Sequence, residues 1–299
     1  MKGFNKVVFL AALMAFLIRT GALAEPVPVF VSILPQKYFL QQIGGDRVAV
    51  QVMVQPGASP HAYEPKPRQM AALAGTRAYF AIGVSFESAW LGRISAANPD
   101  MRIVRTDEGI EKIAMSDPHG RGGHSGEAHS REDHHHHGGL DPHIWLSPPL
   151  VKVQAGTILA ALQEIDPAHR EVYEANCRKF LAGIDGLDAR LRTLFSGKEG
   201  LRFMVFHPAW GYFAHAYGLT QLPVEIEGKD PKPAQLLTLI REARERGIRV
   251  IFVQPQFSAK SANLVAKEIG GRVIAADPLA EDWMANLLAV ADHFNAALR

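Results

Sequence analysis

Histidine is the residue type in this sequence that points most directly to chemistry. The 299-residue chain contains 13 histidines, and seven of them lie between His119 and His137. A neutral imidazole is a common ligand of transition metals. The single cysteine, Cys177, excludes both an internal disulfide and a zinc site built from several thiolates. The search for function therefore begins with metal binding by histidine.

Three histidines outside this cluster, and one aspartate, lie next to predicted elements. His207 and Asp277 each directly follow an apolar run of four residues. His61 lies in a proline-containing loop after a predicted strand that ends at Val54, and His143 precedes a helix start marked by Ser147-Pro148-Pro149. Each residue alone is more typical of a loop, turn or core position. Together they could provide three nitrogens and one oxygen, a plausible zinc shell.

The elements that must position these residues follow an alternating α/β pattern. Strands are predicted at 27–33, 48–54, 78–82, 102–105, 202–206, 249–253 and 272–276. Helices are predicted at 36–43, 67–73, 86–97, 233–246, 259–269 and 281–298. This order predicts two αβ lobes with mainly parallel sheets. Because ligands of open α/β sheets bind beyond the carboxyl ends of strands, we expect the metal site in the cleft between the lobes.

One long helix is predicted between the two halves. Apolar residues recur from Tyr173 to Leu194 at alternating spacings of four and three, which places one stripe along a helix from Pro167 to Ser196. Such a helix is about 45 Å long and forms a rigid connection. Cys177 lies on the stripe as a small core residue. The predicted divisions are an N-terminal lobe at 25–150, a helical region at 151–200 and a C-terminal lobe at 201–299.

The first 24 residues have the pattern of a cleavable export signal. Basic residues precede an apolar run at 7–18, and Ala22-Leu23-Ala24 is a small-residue cleavage pattern. The alternative is an uncleaved anchor, although the run is too short to span a bilayer comfortably. Cleavage leaves 29 basic against 30 acidic residues, so there is no basic excess to attract nucleic acid. We expect a periplasmic chain that is not inserted in the membrane.

The flanking residues of the four candidate ligands resemble a known family when they are considered together. Four segments occur in the order found in cluster A-I, or TroA-like, solute-binding proteins of ABC importers: Pro60-His61-Ala62-Tyr63-Glu64-Pro65, Asp141-Pro142-His143-Ile144-Trp145-Leu146, His207-Pro208-Ala209-Trp210-Gly211-Tyr212-Phe213 and Asp277-Pro278-Leu279. The resemblance implies two αβ lobes joined by one long helix, with the metal between them. It also implies a monomeric, non-enzymatic receptor that delivers a cation to a membrane permease driven by an ATPase.

Within this family the residue at His207 bears on the choice of metal. Members that resemble manganese receptors usually have a glutamate there, whereas a nitrogen-rich shell favours zinc as the transported ion. Some zinc members have a glutamate before the first histidine, but this chain has Pro60, so Asp277 is the expected fourth ligand and water is the alternative. A manganese or iron receptor, a zinc-dependent hydrolase and an adhesin are the other functions considered.

A histidine-rich insertion at 117–140 contains almost no apolar residues and is unsuited to a core. An expression tag or a merely solvating loop is the alternative, but zinc members of the family often have such a loop. Its histidines are predicted to bind zinc weakly and to collect it beside the cleft; they are His119, His124, His129, His134, His135, His136 and His137. Glu64, Trp145 and Glu227 are predicted to support the ligands or to line the cleft.

Overall fold

The structure is a computed structural model, and it describes residues 25–115, 139–226 and 229–298. The predicted export signal, the seven histidines of the insertion and Glu227 lie outside the described residues. Within the described ranges, no helix has both the length and the apolar character needed to cross a membrane.

The N-terminal lobe contains a four-stranded parallel sheet. Its strands are β1 (Val27–Val31), β2 (Val48–Val52), β3 (Ala78–Ala81) and β4 (Arg102–Arg105), in the order β2-β1-β3-β4. Its helices are α1 (Leu34–Gly44), α2 (Pro67–Ala72) and α3 (Ser85–Ala97). All four residues of the central strand β3 are buried, as expected where both faces of a parallel sheet are covered. These strands begin where the sequence predicted them.

Two helices lie between the two sheets along the chain. Helix α4 spans Pro148–Ile165, and helix α5 spans Arg170–Phe195 after a short 3-10 turn at Pro167–His169. The predicted long helix is therefore confirmed, except that its first turn is 3-10. The 26 residues of α5 span about 39 Å. Its buried stripe is the predicted one, but ends at Phe195 rather than Leu194. The buried residues of α5 that form the stripe are Tyr173, Cys177, Phe180, Ile184, Leu187, Leu191 and Phe195.

The C-terminal lobe repeats the parallel α/β arrangement. Its strands are β5 (Arg202–Val205), β6 (Thr220–Pro223), β7 (Val250–Val253) and β8 (Arg272–Ala275), in the order β6-β5-β7-β8. Its helices are α6 (Gly211–Ala216), α7 (Pro233–Glu245), α8 (Lys260–Glu268) and α9 (Trp283–Ala297). Strand β6 and helix α6 were not predicted. Gly247 and Gly270 follow α7 and α8 with φ of 65° and 64°, which is the left-handed conformation that glycine favours after a helix.

The two lobes share a hydrophobic core. Alternate residues of β5, such as Phe203, face a cluster that also contains Phe39 of α1 and Trp283 of α9. The opposite face of the same sheet packs in a second cluster with α7 and α8. The Trp145 indole donates a hydrogen bond to the Pro278 carbonyl, and Trp283 donates one to the Trp145 carbonyl, both at 2.7 Å. The lobes are therefore packed together as well as joined by helices.

Candidate metal centre

Three histidines from separate chain segments meet at the carboxyl edges of the two sheets. His61, His143 and His207 each offer a ring nitrogen, and the three nitrogens lie within 4.8 Å of one another. The Nε2 atoms of His61 and His207 are 3.0 Å apart. A tetrahedral zinc ion with bonds of about 2.0 to 2.1 Å requires nitrogens about 3.3 Å apart. The separation of the His61 and His207 nitrogens is close to that value, and the His143 nitrogen lies within 4.8 Å of both.

His207 lies two residues after β5 and is held by three other side-chain contacts. Gln254 donates a hydrogen bond to the His207 carbonyl at 2.6 Å and accepts one from its amide at 3.2 Å. Glu225 lies 2.6 Å from Nδ1 of the ring, and Phe257 stacks on the ring at 4.8 Å between centroids. Because a carboxylate only accepts, Nδ1 carries the hydrogen and Nε2 presents a lone pair to the centre.

His143 is held in the same way by an aspartate two residues earlier. Asp141 Oδ1 accepts a hydrogen bond from the His143 amide at 2.9 Å and lies 2.6 Å from Nδ1 of the ring. The ring of Trp145 lies 5.1 Å from the His143 ring, centroid to centroid. The Trp145 ring therefore packs beside the His143 ring, and its predicted role in lining the cleft stays a prediction. Both His143 and Asp141 are buried, so this hydrogen bond is shielded from water.

His61 is the least enclosed of the three histidines. It lies in the irregular loop between β2 and α2, where its amide donates a hydrogen bond to the Ser59 hydroxyl at 3.3 Å. Its Nδ1 atom is 3.1 Å from the hydroxyl of Ser85, the first residue of α3. A neutral hydroxyl therefore occupies the place that a carboxylate occupies beside the other two histidines.

Burial and repulsion from neighbouring histidines lower the pKa values of two rings of the centre, those of His61 and His207. Burial, followed by the neighbouring His207 and His143, lowers the pKa of His61 to about 3. Burial also lowers the pKa of His207, although its hydrogen bond with Glu225 acts in the opposite direction. Because only the neutral imidazole binds a metal ion, these shifts keep the His61 and His207 rings in the form that can bind one at neutral pH.

Asp277 does not belong to this group of three nitrogens. It follows β8, and its Oδ1 atom accepts hydrogen bonds from Gln256 Nε2 and from the Leu279 amide, both at 2.9 Å. It also lines a crevice between the lobes with residues that include Val54 and Glu281. Asp277 as the fourth ligand stays a prediction, because these hydrogen bonds hold the carboxylate outside the histidine group.

The two carboxylates that hold the histidine rings were not among the candidate residues predicted from the sequence. Asp141 lies in one of the quoted segments, and its spacing of two from His143 was the available signal. Glu225 follows β6, and its amide donates a hydrogen bond to the Phe206 carbonyl at 3.0 Å. Glu225 lies beside His207 because β6 pairs with β5, and β6 was not predicted from the sequence. Glu64, proposed for such a role, is exposed.

Comparison with known proteins connects this geometry to a family. The profile of a family described as "Zinc-uptake complex component A periplasmic" matches residues 29–297. The high-affinity zinc uptake system protein ZnuA of Bacillus subtilis (strain 168) is 29% identical over 248 residues, which cover 82% of this chain and 76% of that protein.

Solved structures resemble the chain over nearly its whole length. A crystal structure of a ZnuA is 42% identical and superposes with a TM-score of 0.82, covering 92% of this chain and 100% of that one. A zinc-bound deletion mutant of a ZnuA is 43% identical with a TM-score of 0.80, covering 91% of this chain and 98% of that one. The two lobes and the connecting long helix are therefore the architecture of these proteins.

Proposed function

The chain belongs to the periplasmic zinc-uptake complex component A family, and on that premise we propose that His61, His143 and His207 bind the zinc ion that it transports. The protein is the zinc-binding receptor of an ABC-type zinc uptake system. The observation that carries the ligand assignment is the convergence of three ring nitrogens within 4.8 Å. A donor set of three imidazoles suits zinc better than manganese, which prefers oxygen.

The fourth coordination position belongs to Asp277 or to a water molecule. A movement of the Asp277 carboxylate away from Gln256 and Leu279 would be needed before it could bind the same ion. A water molecule could bind as the fourth ligand without any movement of Asp277. Zinc binding by an Asp277→Asn variant distinguishes the two: a large loss of affinity indicates ligation, and a wild-type affinity indicates water.

A hydrolase is not favoured by the surroundings of the centre. Catalytic zinc requires an open position with a nearby general base. The carboxylates next to the rings, Asp141 and Glu225, each bond to Nδ1 of a histidine, on the side of the ring away from Nε2. They therefore support the ligands rather than activate a water molecule.

We further propose that the mature protein is a monomer that docks on a membrane permease driven by an ATPase. Removal of residues 1–24 leaves Glu25 as the first residue, which mass spectrometry of the exported protein checks directly. The insertion histidines are proposed as weak auxiliary sites. A chain lacking residues 120–138 should keep one tight zinc site and lose only the weaker ones.

A pair of histidine variants tests the transport function. Zinc titration of metal-stripped protein against a chromophoric chelator should give one tight equivalent for the wild type and for His215→Ala, and none for His207→Ala. His215 is an exposed histidine of α6, so it is a matched control. Under zinc starvation, growth of a deletion strain should be restored by the wild type and His215→Ala but not by His207→Ala. Unimpaired growth of the deletion strain contradicts an import role and favours adhesion or metal handover.

A further inference from the structure

Tyr212 connects the chain segments that contain His143 and His207. It lies in α6, five residues after His207, and is only 4% exposed. Its hydroxyl donates a hydrogen bond to the Asp141 carbonyl at 2.8 Å and accepts one from the Ile113 amide at 3.1 Å. Burial raises the pKa of Tyr212 to about 12, so the hydroxyl remains a donor. One side chain of the C-terminal lobe thus satisfies two backbone groups between β4 and α4.

The backbone that Tyr212 contacts is itself paired. The Asp141 amide donates a hydrogen bond to the Ile113 carbonyl at 2.9 Å, and Ala114 and Leu140 form an antiparallel bridge next to this pair. Tyr212 therefore fixes a small two-stranded unit rather than one free loop. The position of this unit sets the position of the Asp141 side chain, which holds the ring of His143.

Gly211, the residue before Tyr212, lies so close to the Asp141 side chain that there is no room for a larger residue. A Cβ atom added at Gly211 would lie 2.7 Å from Asp141 Oδ2 and 3.1 Å from Gln221 Nε2. A distance of 2.7 Å is too short for carbon and oxygen that are not bonded, so either Asp141 or α6 would have to shift. Gly211 and Tyr212 together bring the C-terminal lobe directly against the residue that orients His143.

Within the described residues, His61 has no comparable connection to the other lobe. Its described ring contacts are the Ser85 hydroxyl and the other two histidines. We propose, on the basis of the proposed zinc-binding function, that Tyr212 is a positioning residue that fixes His143 relative to His207. Two of the three imidazoles are then set before the ion arrives, and His61 completes the site. Restricting the two rings in this way reduces the conformational entropy lost when zinc binds.

The test compares two Tyr→Phe variants, at Tyr212 and at Tyr217, each of which removes one buried hydroxyl. Tyr217 is also buried, and its hydroxyl donates to Asp188 of α5 at 3.0 Å, which leaves the ligand segments untouched. In the full mature chain, Tyr212→Phe should weaken Zn²⁺ binding about tenfold, in the range seen when outer partners of metal ligands are removed. Tyr217→Phe should bind Zn²⁺ within about twofold of the wild type. Chelator competition measures both, and thermal unfolding of the metal-free proteins reports their stability.

Cobalt absorption gives a signal that a purely structural role does not change. The visible spectrum of bound Co²⁺ depends on ligand geometry, so it should change in Tyr212→Phe and stay as in the wild type in Tyr217→Phe. Gly211→Ala disturbs the same contact from the adjacent residue and should change both affinity and spectrum in the same direction.

Three outcomes distinguish a failure of the positioning role from a failure of the proposed function. Wild-type zinc affinity and an unchanged cobalt spectrum in a folded Tyr212→Phe or Gly211→Ala protein overturn the positioning role while the receptor function stands. If Tyr212→Phe does not fold, Gly211→Ala decides the question, and failure of both to fold while Tyr217→Phe folds contradicts a role limited to the ligands. Absence of tight zinc binding by the wild type overturns the proposed function itself.

Discussion

At the scale of single residues, the three candidate ligands differ in what holds them. Each ring has its Nδ1 atom next to an oxygen, but that oxygen belongs to a buried carboxylate for His143 and His207 and to a hydroxyl for His61. A hydrogen bond to a charged acceptor is roughly twice as strong as a neutral one. His61 is therefore the ring whose orientation is least fixed, and zinc binding should depend on the carboxylates that fix the other two.

Glu225 provides a direct measurement of that dependence. Glu225→Ala leaves the Nδ1 hydrogen of buried His207 without its partner, so zinc affinity should fall about 10- to 100-fold. Glu225→Gln keeps an oxygen that can accept the same hydrogen bond and should lose less. Glu268→Ala, an exposed variant in α8, is the control. Equal zinc affinities in the wild type and Glu225→Ala, measured by chelator competition, contradict this role.

The lowered histidine pKa values predict how the metal-free protein responds to acid. A histidine in the unfolded chain has a pKa of about 6.5, whereas His61 in the folded protein has a pKa of about 3. The unfolded state therefore binds protons first as the pH falls, and stability should decrease between about pH 7.5 and pH 5. His61→Gln should lose less stability over this range, and exposed His215→Gln should lose as much as the wild type. Urea denaturation midpoints at the two pH values give the comparison. If His61→Gln loses as much stability as the wild type, the pKa of His61 does not cause the loss.

At the scale of elements, α5 contains two glycines in different surroundings. Gly186 is exposed, and a Cβ there meets no atom within 4 Å, whereas a Cβ at Gly183 would lie 3.3 Å from Met284 Cε of α9. Glycine inside a helix costs about 0.5–1 kcal/mol relative to alanine. Gly186→Ala should raise the free energy of unfolding by about that amount.

Gly183→Ala should gain less, because Met284 must move to accommodate the methyl group. Urea denaturation of both variants in the metal-free protein measures the difference. A larger gain for Gly183→Ala than for Gly186→Ala contradicts this account of the contact between α5 and α9.

The sequence patterns predicted elements well where one periodicity governed a segment. The stripe of α5 follows the helical period, and the residues before His207 and Asp277 form continuous apolar runs of strand length, so these elements were predicted correctly. Strand β6 was missed because Thr220–Pro223 is four residues long, contains two polar or exposed positions and ends in proline, which an edge strand tolerates. Missing β6 removed the only indication that Glu225 lies beside His207.

The convergence of three histidines was predictable from the sequence for a related reason. His61, His143 and His207 stand at predicted element ends, so topology alone brings them to one cleft. The placement of Asp277 depends on local hydrogen bonds to Gln256 and Leu279. No periodicity encodes such contacts, and the same holds for the hydrogen bonds of Tyr212.

At the scale of the whole molecule, the two lobes form the sides of a cleft, and they also pack against each other through a shared core. The main core cluster includes residues of both sheets and of α5, and Trp283 contacts Phe39 of the other lobe at 5.2 Å between ring centroids. Lys37 of α1 also forms an ion pair with Glu281, at 2.5 Å. Because the interface continues the core, the lobes should unfold together, and large lobe rotations would require apolar contacts to break.

Trp283 tests whether the two lobes are one cooperative unit. Trp283→Ala removes a side chain that is 1% exposed and leaves the Trp145 carbonyl without its donor. Loss of a large buried aromatic residue costs about 3–5 kcal/mol, and the shared core should spread that loss to both sheets. Hydrogen exchange of the most protected amides in β1, β3, β5 and β7 should show equal losses of protection. Leu237→Ala, at a position that is 69% exposed, should stay within about 0.5 kcal/mol of the wild type. Loss of protection confined to β5 and β7 contradicts a single cooperative unit, and would mean that the N-terminal lobe keeps its fold when the contact through Trp283 is lost.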